Sequence, residues 1–285
     1  MKTTVSTNKF FKASVNPPDA TYKWDYRFEG RKEGYPLLWL HGFMGSGDDW
    51  LKLVQSQFSD YCNILVNLPG HGRSDFPADT PFTYLLTSLV KQLSLSGIET
   101  FTPIGYSMGG RVAFHLQNLA PERIPALIFL SSAPGLKTRV EREQRSIDDD
   151  ILMDRLERLG ISTFLKEWYS SPLFGDIQNH STLFGELCKM RQINDVQQLR
   201  RALVLMGNGA LPSLWGNLKD IAAPTLLVTG ELDLKYFQLN QEINQKIPGS
   251  IHHQIAAASH AFHLEKPLET ARIITHFLSE TIEGE

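Results

Sequence analysis

The segment FTPIGYSMGG, residues Phe101–Gly110, decides the fold, because it joins an apolar strand to a helix through a turn of glycines and one serine. TPI before the turn is apolar, and GGRVAFHLQNLA after it has the pattern of a helix. Within the segment, Gly105, Ser107 and Gly109 form the pattern G-x-S-x-G. A turn this tight needs glycine, since a Cβ atom at either flank would collide with neighbouring backbone. The segment therefore predicts a strand–turn–helix unit that presents Ser107 at the end of a strand.

Short apolar runs like this strand recur along the chain, with helical segments between them. The runs are Leu37–Leu40, Asn63–Val66, Phe101–Ile104, Ala126–Leu130 and Thr225–Val228, with a weaker one at Ser250–Ile255. The helical candidates include Thr83–Leu95, Gly109–Leu119 and Leu268–Leu278. Most runs show little period-two alternation, as expected of parallel strands that helices cover on both faces. This pattern predicts an α/β fold with an open, mostly parallel central sheet flanked by helices.

The stretch from Leu136 to Leu218 breaks the alternation of strands and helices. It contains many charges and no convincing strand, and MDRLERL and LCKMRQI within it have helical spacing. We interpret it as a helical insertion, which divides the chain into a core of residues 1–135 and 218–285 and a helical cap of residues 136–217. About the first 22 residues are expected to form an extra strand or a loose tail.

The composition limits the classes of function. The chain has 285 residues, of which 42% are hydrophobic and 21% charged, and this excludes a disordered or fibrous protein. A net charge of −3 gives no general reason to expect nucleic-acid binding. The sequence shows neither a secretory signal nor a membrane-spanning apolar run, and its two cysteines are too few for a disulfide framework and too far apart for a local metal site. We expect a cytoplasmic protein that binds no nucleic acid, membrane or metal.

A serine hydroxyl becomes a nucleophile or a base only when a histidine takes its proton and a carboxylate orients that histidine. After a G-x-S-x-G turn, the acid and then the histidine are expected to follow along the chain. Asp233 lies just beyond the fifth apolar run, and Glu231 is a less usual alternative. His260 lies in the loop after the last run, whereas His263 is expected to support that loop. We predict a triad of Ser107, Asp233 and His260.

An oxyanion hole needs backbone N–H groups that point at developing negative charge. Met108 follows the serine at the start of the predicted helix, where the helix dipole adds positive potential. A second donor should come from the loop after an early strand, and the N–H of Phe43 is our candidate. His41, two residues earlier, is either a polar residue of the site or a structural histidine of the loop.

Four motifs, in this order and spacing, resemble the α/β-hydrolase superfamily over nearly the whole chain. They are HGFMGSGDDW (His41–Trp50), NLPGHGRSD (Asn67–Asp75), GYSMGGR (Gly105–Arg111) and SHAFHLEKP (Ser259–Pro267). The last motif departs from the more usual G-H before the histidine. The runs VEREQR, FLKEWYSSPLF and MGNGALPSLW further resemble the 2-succinyl-6-hydroxy-2,4-cyclohexadiene-1-carboxylate synthases of menaquinone and phylloquinone biosynthesis.

This resemblance implies an α/β-hydrolase fold with a helical cap insertion. It also implies a cytosolic lyase, without metal or organic cofactor, that uses the hydrolase triad as a base. Such an enzyme eliminates pyruvate from 2-succinyl-5-enolpyruvyl-6-hydroxy-3-cyclohexene-1-carboxylate. The expected partner is therefore a small-molecule polycarboxylate, and we expect a monomer.

The carboxylates of that precursor need fixed cations, and arginine offers a planar fork for bidentate pairing. Arg111 lies four residues after Ser107, one turn along the same helix face. Arg142 matches an E-R motif of the family, and Arg191 is placed to point from the cap toward the cavity. Arg145 is either a pocket residue or a solvent-exposed arginine. By the same match, the remaining predicted pocket residues are Tyr106, Trp168, Tyr169 and Lys235.

Two other classes of function are compatible with the triad. A carboxylesterase or a carbon–carbon bond hydrolase has the same three residues, because a shared fold does not determine the reaction. A ligand receptor without catalytic activity is a third interpretation. The arginines favour a polycarboxylate over a neutral ester, and so they favour the lyase.

Overall fold

The computed structural model describes residues 22–77 and 79–282. Its strands are β1 (Asp25–Gly30), β2 (Pro36–Leu40), β3 (Cys62–Asn67), β4 (Thr102–Tyr106), β5 (Leu127–Leu130), β6 (Thr225–Gly230) and β7 (Ile251–Ile255). In the described residues they form one sheet in the order β1-β3-β2-β4-β5-β6-β7. Strand β1 pairs antiparallel with β3, and every other pair is parallel. This sheet confirms the predicted α/β fold.

Helices connect the parallel strands and cover the sheet. They are α1 (Leu51–Gln57), α2 (Phe82–Leu95), α3 (Met108–Leu119), α4 (Arg139–Tyr169), α5 (Ser181–Arg191), α6 (Val196–Met206), α7 (Leu234–Lys246), α8 (Phe262–Glu265) and α9 (Pro267–Ile282). Strands β4, β5 and β6 are buried along their whole length, as expected of strands covered on both faces. Across the described ranges, no helix is both long and apolar enough to span a bilayer.

The six apolar runs of the sequence each overlap one of the strands, whereas β1 was not predicted. Strand β1 reads DYRFEG and lies at an edge of the sheet, where its side chains are exposed or half-buried. It therefore lacks the apolar run that marks the central strands. The extra strand or tail was predicted for about the first 22 residues, of which residues 1–21 lie outside the described residues.

Residues 136–217, all of which the structure describes, contain helices α4, α5 and α6 and no strand. Helix α4 begins with a capping box, in which Thr138 Oγ1 accepts from the Glu141 N–H and the Glu141 carboxylate accepts from the Thr138 N–H. Gly160, with a φ of 70°, breaks α4 into two helical parts. The segment between β5 and β6 is thus helical as predicted, and its status as a separate cap stays a prediction.

Strained backbone is concentrated at the carboxyl edge of the sheet. Four described residues other than glycine have positive φ shortly after a strand: Met44 (63°), Ser107 (50°), Ser131 (42°) and Ala257 (48°). Each such residue costs about 1–2 kcal/mol and persists only where its surroundings hold it in place. Strain of this kind often accompanies a functional site.

Candidate active site

Ser107 lies in the turn between β4 and α3, with a φ of 50° and a ψ of −107°. A Cβ atom on Gly105 would lie 2.5 Å from the Cα of Gly110, and one on Gly109 would lie 2.2 Å from the carbonyl oxygen of Leu40. These are the backbone collisions expected from the sequence. The glycines let α3 approach the sheet closely, so that the turn carries the serine at the carboxyl end of β4.

Three polar side chains form a continuous line of hydrogen bonds at this edge of the sheet. The Nε2 of His260 lies 3.0 Å from Ser107 Oγ, and its Nδ1 lies 2.7 Å from Asp233 Oδ2. Asp233 and His260 are only 2% and 3% exposed. Ser131, which the sequence did not indicate, donates to the same carboxylate oxygen at 2.8 Å. In this geometry the histidine can accept the serine proton while the carboxylate fixes the orientation of the ring.

The two alternatives considered for this line of side chains lie elsewhere. Glu231 is exposed, and its carboxylate accepts from the N–H of Ala257 at 2.7 Å. His263 is buried, with its ring centroid 4.2 Å from that of Tyr106 and 4.8 Å from that of Trp50. His263 therefore packs behind the cavity wall, in a supporting position.

The two predicted oxyanion donors belong to segments beside Ser107. Phe43, in the loop after β2, and Met108, the first residue of α3, line the same cavity as the serine. An N–H group in the first turn of a helix has no acceptor within the helix, and the helix dipole makes its surroundings positive. The N–H of Met108 is thus available to an anion next to Ser107.

His41 lies beneath the loop and does not line the cavity, which corrects its prediction as a substrate contact. Its Nε2 accepts from the N–H of Leu68 at 2.9 Å, so its Nδ1 donates to the Gly42 carbonyl at 2.7 Å. Burial lowers the pKa of His41 to about 3, which keeps the ring neutral. In a planar trans peptide the N–H points away from the carbonyl. By holding the Gly42 carbonyl, His41 fixes the direction of the Phe43 N–H.

Three buried histidines share this neutral state. Burial lowers the pKa of each to about 3, and they surround the loop after β2 and the Tyr106 side chain. These three histidines are His41, His71 and His263.

A cavity of about 350 Å³ opens above Ser107, bounded by the carboxyl edge of the sheet and by residues of α4, α5 and α6. The predicted residues that line it are Phe43, Tyr106, Met108, Arg111, Trp168, Tyr169, Arg191 and Lys235. Arg142 is not among the lining residues, whereas Arg145 is. Because Arg142 lies one turn nearer the start of α4, it sits beyond the rim of the cavity. The prediction of Arg142 as a pocket residue was therefore wrong, and Arg145 takes that place.

Arg111 brings an unpaired positive charge to the cavity. Its side chain is buried, and among the described residues its Nε and Nη1 atoms have no hydrogen-bond partner. Burial lowers the pKa of Arg111 to about 10, so the group remains cationic at neutral pH. A buried charge without a partner is unfavourable until an opposite charge approaches it. Arg111 thus marks the position at which an anionic group can bind.

Arg191, by contrast, is already paired. Its Nη1 and Nη2 atoms lie 2.5 Å and 2.8 Å from the two carboxylate oxygens of Asp49, and both side chains are buried. Burial alone would lower the pKa of Arg191, but the carboxylate outweighs it and the pKa is raised. Asp49, which sequence reasoning missed, therefore occupies the fork that was predicted for a substrate carboxylate.

The rest of the cavity wall contains both charged and aromatic side chains. Arg145 Nε lies 2.7 Å from Asp149 Oδ1, which partly compensates its charge. Lys235 is exposed at the rim. The ring of Tyr236, also missed from the sequence, lies 4.6 Å from the ring of His260. These walls suit a small molecule with an apolar ring and anionic substituents.

Comparisons with known proteins agree with this geometry. Residues 35–267 match the family model described as the alpha/beta hydrolase fold. A putative 2-succinyl-6-hydroxy-2,4-cyclohexadiene-1-carboxylate synthase of Bacillus subtilis (strain 168) is 34% identical over 258 residues, which cover 88% of this chain and 93% of that relative. The protein PHYLLO, chloroplastic, of Arabidopsis thaliana is 31% identical over 87% of this chain and 15% of its own length. The solved structure of MenH from S. aureus has a TM-score of 0.84 at 32% identity and covers 90% of this chain and 98% of that one.

Proposed function

Because the chain belongs to the α/β-hydrolase family and, within it, to the 2-succinyl-6-hydroxy-2,4-cyclohexadiene-1-carboxylate synthases, we propose that it eliminates pyruvate from 2-succinyl-5-enolpyruvyl-6-hydroxy-3-cyclohexene-1-carboxylate. The enzyme would then be a lyase of menaquinone or phylloquinone biosynthesis. The observation that carries the proposal is the unpaired cation of Arg111, one helical turn from a serine that is hydrogen-bonded to His260. A pocket with this charge is suited to a polycarboxylate.

In the proposed mechanism, Ser107 acts as a base toward the substrate ring. Asp233 orients His260, which accepts the hydroxyl proton as Ser107 removes a proton from the ring. The electron pair spreads into the adjacent succinyl carbonyl, whose oxygen accepts hydrogen bonds from the Phe43 and Met108 N–H groups. Collapse of this enolate forms the new ring double bond and breaks the carbon–oxygen bond to enolpyruvate, which takes up a proton and becomes pyruvate.

Most of the rate enhancement is expected to come from two features, the general base and the oxyanion donors. General-base catalysis contributes about 10²–10⁴-fold, and each oxyanion donor contributes about 10²–10³-fold. The arginines act differently, because they bind and orient carboxylates that do not react. Arg111 offers two nitrogen atoms without a hydrogen-bond partner, Nε and Nη1, and Arg145 can exchange its bond to Asp149 for a bond to the substrate.

A carboxylesterase or carbon–carbon bond hydrolase is the second candidate. The hydrogen bonds of Ser107, His260 and Asp233 favour it as much as the lyase, since the same three groups also support acyl transfer. A neutral ester, however, would leave the buried Arg111 guanidinium without an anionic partner. The arginine therefore argues for the lyase.

The test compares two reactions of the purified enzyme. Pyruvate release from freshly generated precursor is coupled to lactate dehydrogenase, and hydrolysis of p-nitrophenyl esters is measured beside it. We expect fast pyruvate release and feeble esterase activity, with a loss of at least about 10²-fold in Ser107→Ala. Ser56→Ala, on an exposed face of α1, is the matched control and should retain full activity. Brisk ester hydrolysis without pyruvate would overturn the proposal.

A further inference from the structure

Asn194, in the turn between α5 and α6, connects the helical segment to the loop that carries Phe43. Its side chain is 6% exposed and does not line the cavity. Its Nδ2 donates to the carbonyl oxygens of Met44 at 2.9 Å and Arg191 at 3.0 Å. Its Oδ1 accepts from the N–H of Gly72 at 2.8 Å. One amide thus holds the loops after β2 and β3 against the end of α5.

The bond to Met44 continues through the backbone toward the site. The Met44 carbonyl shares a peptide unit with the Gly45 N–H, which donates to the Gly42 carbonyl at 3.0 Å. The Gly42 carbonyl shares the next peptide unit with the Phe43 N–H. No cis peptide bond occurs in the described ranges, so in each unit the N–H and the carbonyl point in opposite directions. A line of hydrogen bonds therefore runs from Asn194 through two peptide units to the Phe43 N–H, and each bond polarises the next.

The loop needs this support because its backbone does not favour the observed conformation. Met44 has a φ of 63°, which is unfavourable for a residue with a Cβ atom. His41 holds the Gly42 carbonyl, and its other ring nitrogen is bonded to the Leu68 N–H, so His41 makes no hydrogen bond to the Met44–Gly45 peptide. The bond from Asn194 is the side-chain contact that fixes this second peptide. Without it, the loop can relax and turn the Phe43 N–H away from the serine.

We propose that Asn194 is a positioning residue, which aims the Phe43 N–H at the developing oxyanion through the Met44–Gly45 and Gly42–Phe43 peptides. The inference rests on the proposed function, in which that N–H is an oxyanion donor. A donor that acts on charge formed only in the transition state changes kcat and leaves KM nearly unchanged. A lower kcat at an unchanged KM therefore distinguishes a positioning role from a role in substrate binding.

The test uses two variants and one control. Asn194→Asp has the same shape and retains the acceptor for Gly72, but it replaces the donor to Met44 by an oxygen. Asn194→Ala removes all three side-chain hydrogen bonds, to Met44, Arg191 and Gly72. Asn179→Ala, an exposed amide of the same helical segment whose Nδ2 reaches Asp176, is the matched control.

Two rates are measured for each protein, with thermal unfolding as the check of folding. The first is pyruvate release, as kcat and KM. The second is the rate at which a fluorophosphonate modifies Ser107, followed by mass spectrometry. The phosphoryl oxygen of this probe uses the same oxyanion donors, and its reaction does not depend on the identity of the substrate.

We expect both Asn194 variants to lower kcat and the modification rate by about 10–100-fold, with KM within about 2-fold and the control unchanged. Wild-type rates in folded Asn194→Asp would overturn the inference, as would a raised KM at unchanged kcat. If Asn194→Ala fails to fold, Asn194→Asp decides. If the wild type releases no pyruvate, the proposed function fails, while the modification rates still decide the role of Asn194. A wild type that the probe does not modify would overturn the inference too.

Discussion

Replacing Arg111 with methionine is predicted to stabilise the empty protein and to disable the enzyme. The guanidinium is buried with two unpaired atoms, and burial lowers its pKa from the ordinary value of arginine to about 10. At 1.36 kcal/mol per pKa unit, keeping this charge in the folded state costs about 3 kcal/mol. Methionine fills a similar volume without the charge. We therefore expect the free energy of unfolding to rise by about 1–3 kcal/mol near pH 7.

The pH dependence of this gain follows from proton linkage. The folded pKa of Arg111 lies below the unfolded value, so above pH 10 the folded protein loses this proton before the unfolded chain does. Below pH 10 both states are charged, and the full cost is present. The stability difference between wild type and Arg111→Met should thus be constant near neutral pH and shrink only above pH 10.

Urea unfolding and pyruvate release measure the two effects, and Arg145→Met is the matched control for the unfolding experiment. Arg145 is partly exposed and paired with Asp149, so its replacement should lower stability by up to about 1 kcal/mol. Arg111→Met should lose about 10²–10⁴-fold in kcat/KM, because two charge-assisted hydrogen bonds of about 1.5–3 kcal/mol each are lost. If Arg111→Met were less stable than the wild type, the claim that this unpaired charge destabilises the folded protein would be refuted. An unchanged kcat/KM would refute the role of Arg111 in substrate binding.

Three further outcomes are expected. Asp49→Asn leaves Arg191 buried without its counter-charge, and urea unfolding should show a loss of about 3–5 kcal/mol; an unchanged midpoint would contradict the buried pair. Gly109→Ala puts a Cβ atom 2.2 Å from a carbonyl oxygen of β2, so circular dichroism should reveal little folded protein, whereas Gly185→Ala, with open space around it, should fold normally. As the pH drops from 6.5 toward 3, the three buried histidines take up protons in the unfolded chain but not yet in the folded protein. The free energy of unfolding should therefore fall by up to about 1.4 kcal/mol per histidine for each pH unit. The urea midpoint measured against pH should show this slope, and His263→Phe should reduce it by one proton; a flat series would argue against their burial.

The local features of the fold and the site could be predicted from the sequence, because short-range patterns encode them. The glycines around Ser107 fix the turn, and the apolar runs before Asp233 and His260 fix where those side chains emerge. Strand β1 was not predicted, because an edge strand with exposed and half-buried side chains does not require an apolar run. The sequence of α4 indicates a charged helix, but it does not show which face of that helix turns toward the cavity. For this reason Arg142 was chosen as a pocket residue in place of Arg145.

What the sequence could not indicate depends on contacts between distant segments. Asp49 meets Arg191 from 142 residues away, and Asn194 meets Met44 from 150 residues away. Neither pair leaves a local signal, since each residue alone resembles an ordinary loop or helix-end residue. The acidic pair in GDDW is the one feature that could have suggested a buried counter-charge for a pocket arginine.

The strained residues after the strands also bear on mutational robustness. The carboxyl edge is destabilised by each of four residues, Met44, Ser107, Ser131 and Ala257. The excess stability that allows the protein to tolerate new substitutions must therefore come from the opposite edge and the outer helices. Substitutions that stabilise those distant regions should leave turnover unchanged. A laboratory selection for a new substrate should therefore start from a chain stabilised there, because every change around the cavity removes part of a margin that these four residues have already reduced.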